Sequence, residues 1–179
     1  MVLNFNSIKV SLYDWATQNI PSGMPAIYLF NNAPRPTVDY ITLYITSCVQ
    51  VGWDYVQDPL DDTGIAEQVG DREFTLQIQA YGGDPFTVLN NLRTSLQKQT
   101  VLDNLRASGI VFCNWFPIND VTELIDSRFE QRGSLDIVFR MADVYTDEIG
   151  VINTVEVEEI YKDPQGNIVF DEIITIPEA

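Results

Sequence analysis

The chain is expected to be an α+β protein: a single mixed, mainly antiparallel β-sheet with helices packed on one face, plus a protruding C-terminal β-hairpin. Three observations predict this. Tyr40–Thr46, Glu73–Ala80 and Ser134–Met141 each alternate apolar and polar residues at period two, so each presents one apolar face. Apolar residues at helical spacing occur before the first of these segments and between the second and third. After residue 150 come two short apolar-acidic runs joined by a turn. Strands with one apolar face belong to a sheet that helices cover on one side, the other side being wet or covered by another subunit.

Taken in order, Ser7 is placed to cap a helix running to about Asn19, with Ile8, Leu12, Trp15 and Ala16 on one face. Pro21, Gly23 and Pro25 end it, Ala26–Phe30 reads as a short strand, and Asn31–Pro36 is a proline-stiffened connector. In the first long strand Ile41, Leu43 and Ile45 oppose Tyr40, Thr42, Tyr44 and Thr46. The stretch Asp54–Asp71, with Pro59, Gly64 and Gly70, reads as a solvent-exposed excursion between two strands. In the second strand Phe74, Leu76, Ile78 and Ala80 face inward. Asp84 is a good N-cap with Pro85 at the first helical position, and Phe86, Leu89, Leu92 and Leu96 form the inward stripe. Thr100 and Asp103 resemble a capping box for a second helix using Val101, Leu102 and Leu105, closed by Gly109. Ile110–Cys113 returns as a strand, and the third long strand turns Leu135, Ile137, Phe139 and Met141 inward.

These elements divide the chain into a core domain over residues 1–150 and a C-terminal acidic β-hairpin extension over 151–179, part of the same domain or a subunit-contact arm. The hairpin turns at Asp163-Pro164-Gln165-Gly166 and carries apolar residues on both faces, Val155 and Val157 on one and Ile152 and Ile160 on the other. The return strand offers Ile168 and Phe170 together with Val169 and Ile173. An isolated two-stranded hairpin is marginal in water, so apolar side chains on both faces imply a surface to dock on.

Composition bounds the chemistry. At 179 residues the chain is long enough for one ordinary domain with its own core. A net charge of −16, with the ten basic residues scattered singly, argues against clamping a nucleic-acid backbone, which needs clustered cations. Between Asp143 and Glu178 ten acidic residues stand against Lys162 alone. That bias serves solubility or makes a surface that repels DNA. Cys48 and Cys113 lack the spacing of a disulfide framework or metal site and read as buried free thiols. Residues Met1–Ser7 carry neither a basic region nor an apolar run, and no stretch approaches the ~20 apolar residues of a membrane span. Reducing, aqueous surroundings without a membrane are therefore expected.

The chain has no histidine, which removes the commonest general base and metal ligand together. The carboxylate pairs Asp61–Asp62 and Asp147–Glu148 are sequence neighbours, which point apart in extended backbone and read as solvated acids. The Asp58–Glu67 stretch puts Leu60 where a calcium loop needs an oxygen. In Gly82-Gly83-Asp84-Pro85 a carboxylate occupies the anion position and proline deletes a donor, so this is a capped turn and not a phosphate cradle. Trp53, Tyr55, Trp115 and Phe116 lie among acids, where stacking on bases is disfavoured and core packing or protein contact is favoured. No catalytic, cofactor-binding or metal-ligating residue is expected. The candidate contact residues are Trp53, Tyr55, Trp115, Phe116, Val155, Val157, Ile168 and Phe170, and the candidate acidic surface is Asp61, Asp62, Glu156, Glu158 and Glu159.

Several segments carry a resemblance to a known family. The run Asn31–Pro36 followed by Tyr40–Leu43, the run Arg72–Gly82, and the run Val101–Gly109 resemble phage neck terminator (tail terminator) proteins, as do Arg128–Arg132 and Ile149–Val155. The resemblance spans roughly Ala26–Val157 and is one of order and texture. It implies a structural, non-enzymatic virion protein that is assembled in the host cytoplasm and located in the tail or neck. It also implies a ring, usually hexameric, that terminates the tail tube and joins the head-side connector or neck protein. In a contractile tail such a ring also anchors the sheath, and DNA passes through without specific binding. The alternatives are a head-completion or baseplate subunit, an acidic DNA mimic presented to a DNA-binding enzyme, and an enzyme working through Asp61 and Asp62.

Overall fold

The computed structural model describes residues 4–32, 34–57, 64–148, 150 and 154–177. The first helix, α1, spans Phe5–Asn19 and buries Ile8, Leu12, Trp15 and Ala16. Its cap is Asn4, not Ser7: Asn4 Oδ1 accepts the backbone N–H of Asn6 at 3.0 Å and of Ser7 at 3.4 Å. Ser7 Oγ instead donates to the Asn4 carbonyl at 3.0 Å. The amide side chain three residues upstream satisfies the first free donors, so the helix starts there.

One six-stranded sheet forms the body. Its strands are β1 (Ala26–Tyr28), β2 (Tyr40–Gln57), β3 (Ile65–Tyr81), β4 (Val111–Trp115), β5 (Asn119–Asp120) and, later in the chain, Arg132–Glu148. Between the last two lie β6 (Glu123–Ile125) and β7 (Arg128–Glu130), a separate two-stranded ladder, so Arg132–Glu148 is β8. The order is β1-β2-β3-β8-β4, with β5 also on β8. The sheet is mixed: β1 runs parallel to β2 with Ala26 opposite Ile41, whereas β4 is antiparallel to β8 with Val111 opposite Arg140.

The three segments with period-two alternation lie within β2, β3 and β8, but the strands are about twice as long or more. The expected excursion at Asp54–Asp71 is largely strand, because β2 runs on to Gln57 and β3 begins at Ile65. Past Ile45 in β2 and before Phe74 in β3 the regular burial of every second residue breaks down, although Ala66 and Val69 are still buried. Polar residues such as Ser47, Gln50 and Arg72 then interrupt the apolar alternation while strand pairing continues.

Helices α2 (Pro85–Ser95) and α3 (Gln99–Ala107) join α1 over one face. The core is that face: Ile41, Leu43, Phe74, Leu76, Ile78, Leu135, Ile137 and Phe139 packed against Leu12, Trp15, Leu89, Leu92, Leu96 and Leu105. Phe139 is central, with ring centroids 5.6 Å from Phe74, 6.1 Å from Trp15 and 6.2 Å from Phe112.

Asp84 caps α2 as expected, accepting the Thr87 N–H at 3.1 Å, with Pro85 in the first turn. Leu89, Leu92 and Leu96 are buried, but Phe86 is 43% exposed and Val88 takes the inward place. Gly133 in β8 explains the rotation. A Cβ there would stand 2.8 Å from Leu89 Cδ1 and 3.3 Å from Pro85 Cβ, so α2 settles on the sheet through its Pro85–Val88–Leu89 side. In α3 the expected capping box is absent. The helix starts at Gln99 after Lys98 with no side-chain cap, and Asp103 accepts from Gln99 Nε2 at 2.7 Å and pairs with Arg106 at 3.1 Å. Lys98 N–H already bonds the Ser95 carbonyl at 3.0 Å, so α3 follows directly on α2 and Thr100 falls inside its first turn. Gly109, at φ 75°, ends α3 as expected.

Both cysteines are exposed, against the expectation of buried thiols. Cys48 lies in the part of β2 beyond the core, and Cys113 falls at the register shift between Phe112 and Asn114 in β4. Partial desolvation raises the pKa of both thiols. The native protein is therefore expected to titrate two thiols with Ellman's reagent, more slowly at pH 7 than glutathione and faster as pH rises. Full reaction only after denaturant would contradict this.

The chain divides into two compact units: Met1–Tyr55 with Val69–Tyr145, and Val56–Gln68 with Thr146–Ala179. The second contains the hairpin, β9 (Thr154–Lys162) paired antiparallel with β10 (Ile168–Pro177). Its turn is built on Asp163, whose carboxylate accepts the N–H groups of Gln165 at 2.9 Å and Asn167 at 2.8 Å. Elsewhere in this unit Gly150 N–H bonds the Gly64 carbonyl at 3.1 Å, and a Cβ at Gly64 would stand 2.8 Å from Gly150 Cα.

Candidate contact surfaces

The face of the sheet turned away from the helices is partly built over by the chain itself. Tyr40 and Thr42 are buried there. The Tyr40 and Tyr81 rings stack at 4.5 Å with planes 2° apart. Arg35 lies 5.6 Å from both ring centroids, and Arg132 lies 5.2 Å from that of Tyr81. Glu130 of β7 ties the two cations, pairing with Arg35 and accepting Arg132 Nε at 2.6 Å, while Glu123 of β6 also pairs with Arg132. Three of the ten basic residues are thus spent on contacts within the chain when Arg72 is added to this pair.

Arg72 is in step with Phe74 on β3, and Asp143 and Tyr145 are in step with Met141 on β8, so they continue the core-facing side beyond the core. Arg72 grips Asp54 of β2 through two hydrogen bonds of 2.7 Å and lies 3.3 Å from Asp143, while Tyr145 Oη donates to Asp54 at 2.9 Å. A methyl at Gly70 would overlap Asp54 Oδ1 and Arg72 Nη1, so glycine at this point gives the fork its room. The Arg72 hydrogen bonds, helped by Tyr145, hold the Asp54 pKa down at about 2 against the opposing effect of desolvation. A carboxyl whose folded pKa is depressed stabilises the fold above its unfolded pKa of ~4, and that contribution disappears as pH falls toward the folded value. The gap in urea midpoint between wild type and Asp54→Asn is accordingly expected to be full at pH 7 and to close between about pH 4 and pH 2. A gap unchanged across that window would contradict the fork.

The sequence-derived contact residues are spread over several surfaces. Trp53, 94% exposed, and Tyr55 project from the far part of β2. Trp115 is half-buried, stacked on Phe112 with centroids 5.0 Å apart, and Phe116 beside it is exposed. Val155 and Val157 on β9 and Ile168 on β10 are exposed, as are Ile160, Tyr161, Val169 and Ile173, so the hairpin presents apolar side chains along both strands. Phe170 lies in β10 opposite Tyr161, and its side chain, like that of Glu159, lies outside the described residues. Glu156 and Glu158 are exposed on β9, while Asp61 and Asp62 fall outside the described residues.

Sequence reading missed other exposed apolar groups. Leu124 and Phe129 face each other across the β6–β7 ladder, both exposed, around a turn in which Asp126 has φ 53°. Two short runs around Asp126-Ser127 are a hairpin signal that finds them. Phe30, at φ 61° and 80% exposed, packs edge-on against Tyr44 at 5.3 Å, and no local pattern announces it. A groove of about 230 Å³ between α1 and α3, lined by Asp14, Trp15, Gln18 and Asn104 among others, is smaller than ordinary ligand pockets. Among the described residues no three His, Cys, Asp or Glu side chains gather as a metal site would require, and no helix is long and apolar enough to cross a membrane.

An α+β subunit that spends its cations internally and displays aromatic and aliphatic groups on strand ends and hairpins is a protein of contact surfaces, the class of structural assembly components. The sequence profile of the phage neck terminator proteins matches residues 10–163, and the chain belongs to that family. It is a structural protein of the phage neck and tail, as the resemblance in its sequence implied. A search of curated proteins finds no match.

Proposed function

We propose that the protein works as a ring of six of its own copies, closing the finished tail tube at one end and presenting a docking surface to the head-side connector at the other. The observation that carries this reading is family membership across residues 10–163. In a contractile tail the same ring anchors the last sheath layer. The subunit is assembled in the host cytoplasm and stays in the virion neck, and it performs no catalysis: contact and charge are its whole mechanism.

Two features of the chain support it. The hairpin β9–β10 exposes apolar side chains along both strands, as an arm that meets a neighbouring subunit would. Charge is also uneven: Val56–Gln68 with Thr146–Ala179 holds thirteen acidic residues and Lys162 alone, while the other unit balances its thirteen acidic residues with the remaining nine basic ones. Carboxylates around a conduit repel the phosphates of passing DNA, so the genome slides and does not stick. Glu156, Glu158 and Glu159, with Asp61 and Asp62, are the residues assigned to that surface.

Negative-stain imaging of the purified protein, alone and mixed with tail tubes, tests the reading. Rings, free or seated on one end of each tube, are expected. A persistent monomer that ignores tubes and is absent from virions would overturn it.

A further inference from the structure

A closed ring of more than two copies needs two different surfaces on each copy, one meeting the other on the neighbour. Resting on the ring reading above, we propose that one of these is the open edge of β2 at Thr46–Val51, and that the other is the C-terminal hairpin of a second copy, which adds to that edge as a further strand.

The topology leaves the edge open. β1 stands beside β2 only over Ile41–Leu43, with one more bond from Leu29 N–H to the Leu43 carbonyl at 2.9 Å. Phe30 then packs on Tyr44 and closes that side. From Thr46 onward no strand among the described residues lies beside β2 on the β1 side, since its other neighbour in the sheet is β3. Unpaired edges are normally blunted by lysine, proline or short length. Thr46–Val51 has no charged residue and no proline, and Gly52, at φ 73°, ends the regular run with a kink. Six residues span about 20 Å, within the reach of β9 or β10. Beyond the kink Trp53 and Tyr55 stand exposed, ready to cover the apolar side chains of an added strand.

Charge selects the occupant. The hairpin belongs to the unit with thirteen acidic residues against one lysine, so two hairpins repel one another. The β2 edge offers an acidic strand a neutral seat: its nearest carboxylate along the strand, Asp54, is already held by Arg72. The unit containing that edge sets nine basic residues against its thirteen acidic ones, so it repels an acidic strand less than a second hairpin, with one against thirteen, would. The hairpin in turn is a two-stranded sheet with no third strand among the described residues, so it has backbone groups to offer. Main-chain bonds along the edge, with alternate side chains filling the space beside Trp53 and Val49, are the ordinary mode of strand addition.

Cys48 sits within the edge and supplies the test. In the full chain with Cys113→Ser, single cysteines are placed in turn at Val155, Val157, Ile168 and Ile173, and the assembled protein is mildly oxidised with diamide. A disulfide needs Cα atoms within about 7 Å, so only a hairpin lying along the edge links to Cys48. Ladders of covalent oligomers longer than dimers are expected for at least one position and are lost on adding Cys48→Ser. In the wild-type protein, amide exchange across Thr46–Val51 is expected to slow at least tenfold on assembly. Rings that form without that protection overturn the inference and leave the ring reading standing. So do Cys48–Cys48 dimers in the absence of a hairpin cysteine, or links confined to the monomer. Failure to form rings either alone or on tail tubes overturns the reading itself, and the inference with it.

Discussion

Phe139→Ala is expected to lower the stability of the subunit by about 3–5 kcal/mol, the usual cost of emptying an aromatic site in a packed core. The ring is fully buried at the middle of β8 and is touched from three directions: Phe74 on the neighbouring strand, Trp15 on α1 and Phe112 on β4. Those neighbours belong to separate elements held by the sheet and a helix, so they cannot all move in to fill the void. Domains of this size are stable by only ~5–15 kcal/mol, and the loss removes a large share of that margin. Urea denaturation followed by circular dichroism checks it, with a fall in midpoint at constant slope as the expected result. A loss below about 1 kcal/mol would mean that the three rings are not packed on Phe139 as described.

Ser95→Ala is the second large effect, by a different mechanism. Trp15 Nε1 donates to Ser95 Oγ at 3.0 Å, and Ser95 Oγ donates to the Leu92 carbonyl at 2.6 Å, all of it buried between α1 and α2. Removing the hydroxyl orphans the indole N–H in a buried site, at a cost of about 1–3 kcal/mol. Trp15→Phe removes the donor instead. The double variant is therefore expected to lose less than the sum of the two single losses, because the second change no longer strands a polar group. Strict additivity in the same urea assay would show that the bond contributes nothing.

The comparison of sequence with structure divides along locality. Wherever a signal depends on residues close in the chain and on burial, it was readable: Ile8–Ala16 on one helical face, the alternation around Ile41, Phe74 and Phe139, the Asp84–Pro85 start of α2, and Gly109 after α3. Where two local signals compete, the reading slipped. Asn4 and Ser7 can both cap, and Asn4 takes the role because it reaches the N–H of Asn6 as well. Phe86 fits the helical stripe, but the helix turns Val88 inward because Gly133, far along the chain, lets Pro85 and Leu89 come close. The outer reaches of β2 and β3 were unreadable because the strands continue there without a period-two apolar pattern, the buried Ala66 and Val69 falling three residues apart. The Asp54–Arg72–Asp143–Tyr145 cluster joins three strands and has no period or motif at all. For the contact surfaces, the acidic surroundings of Trp53 and Tyr55 left core packing and protein contact both open, and the structure shows the two side chains exposed on β2. Phe30 was not legible, since an isolated apolar residue in a polar stretch has no sequence mark that separates surface from core, and Leu124 and Phe129 were missed because the short hairpin around Asp126-Ser127 was not read.

The strand order has a temporal side. β3 lies in the sheet between β2 and β8, yet α2, α3 and the short strands β4 to β7 come before β8 is made. While the polypeptide leaves the ribosome, the apolar side of β3 has α1, made before it, and the two helices that follow it to shelter Leu76 and Ile78, and its second neighbour arrives late. The six-stranded sheet can therefore be completed only once Arg132–Glu148 has been made, and β9 and β10 are synthesised after it.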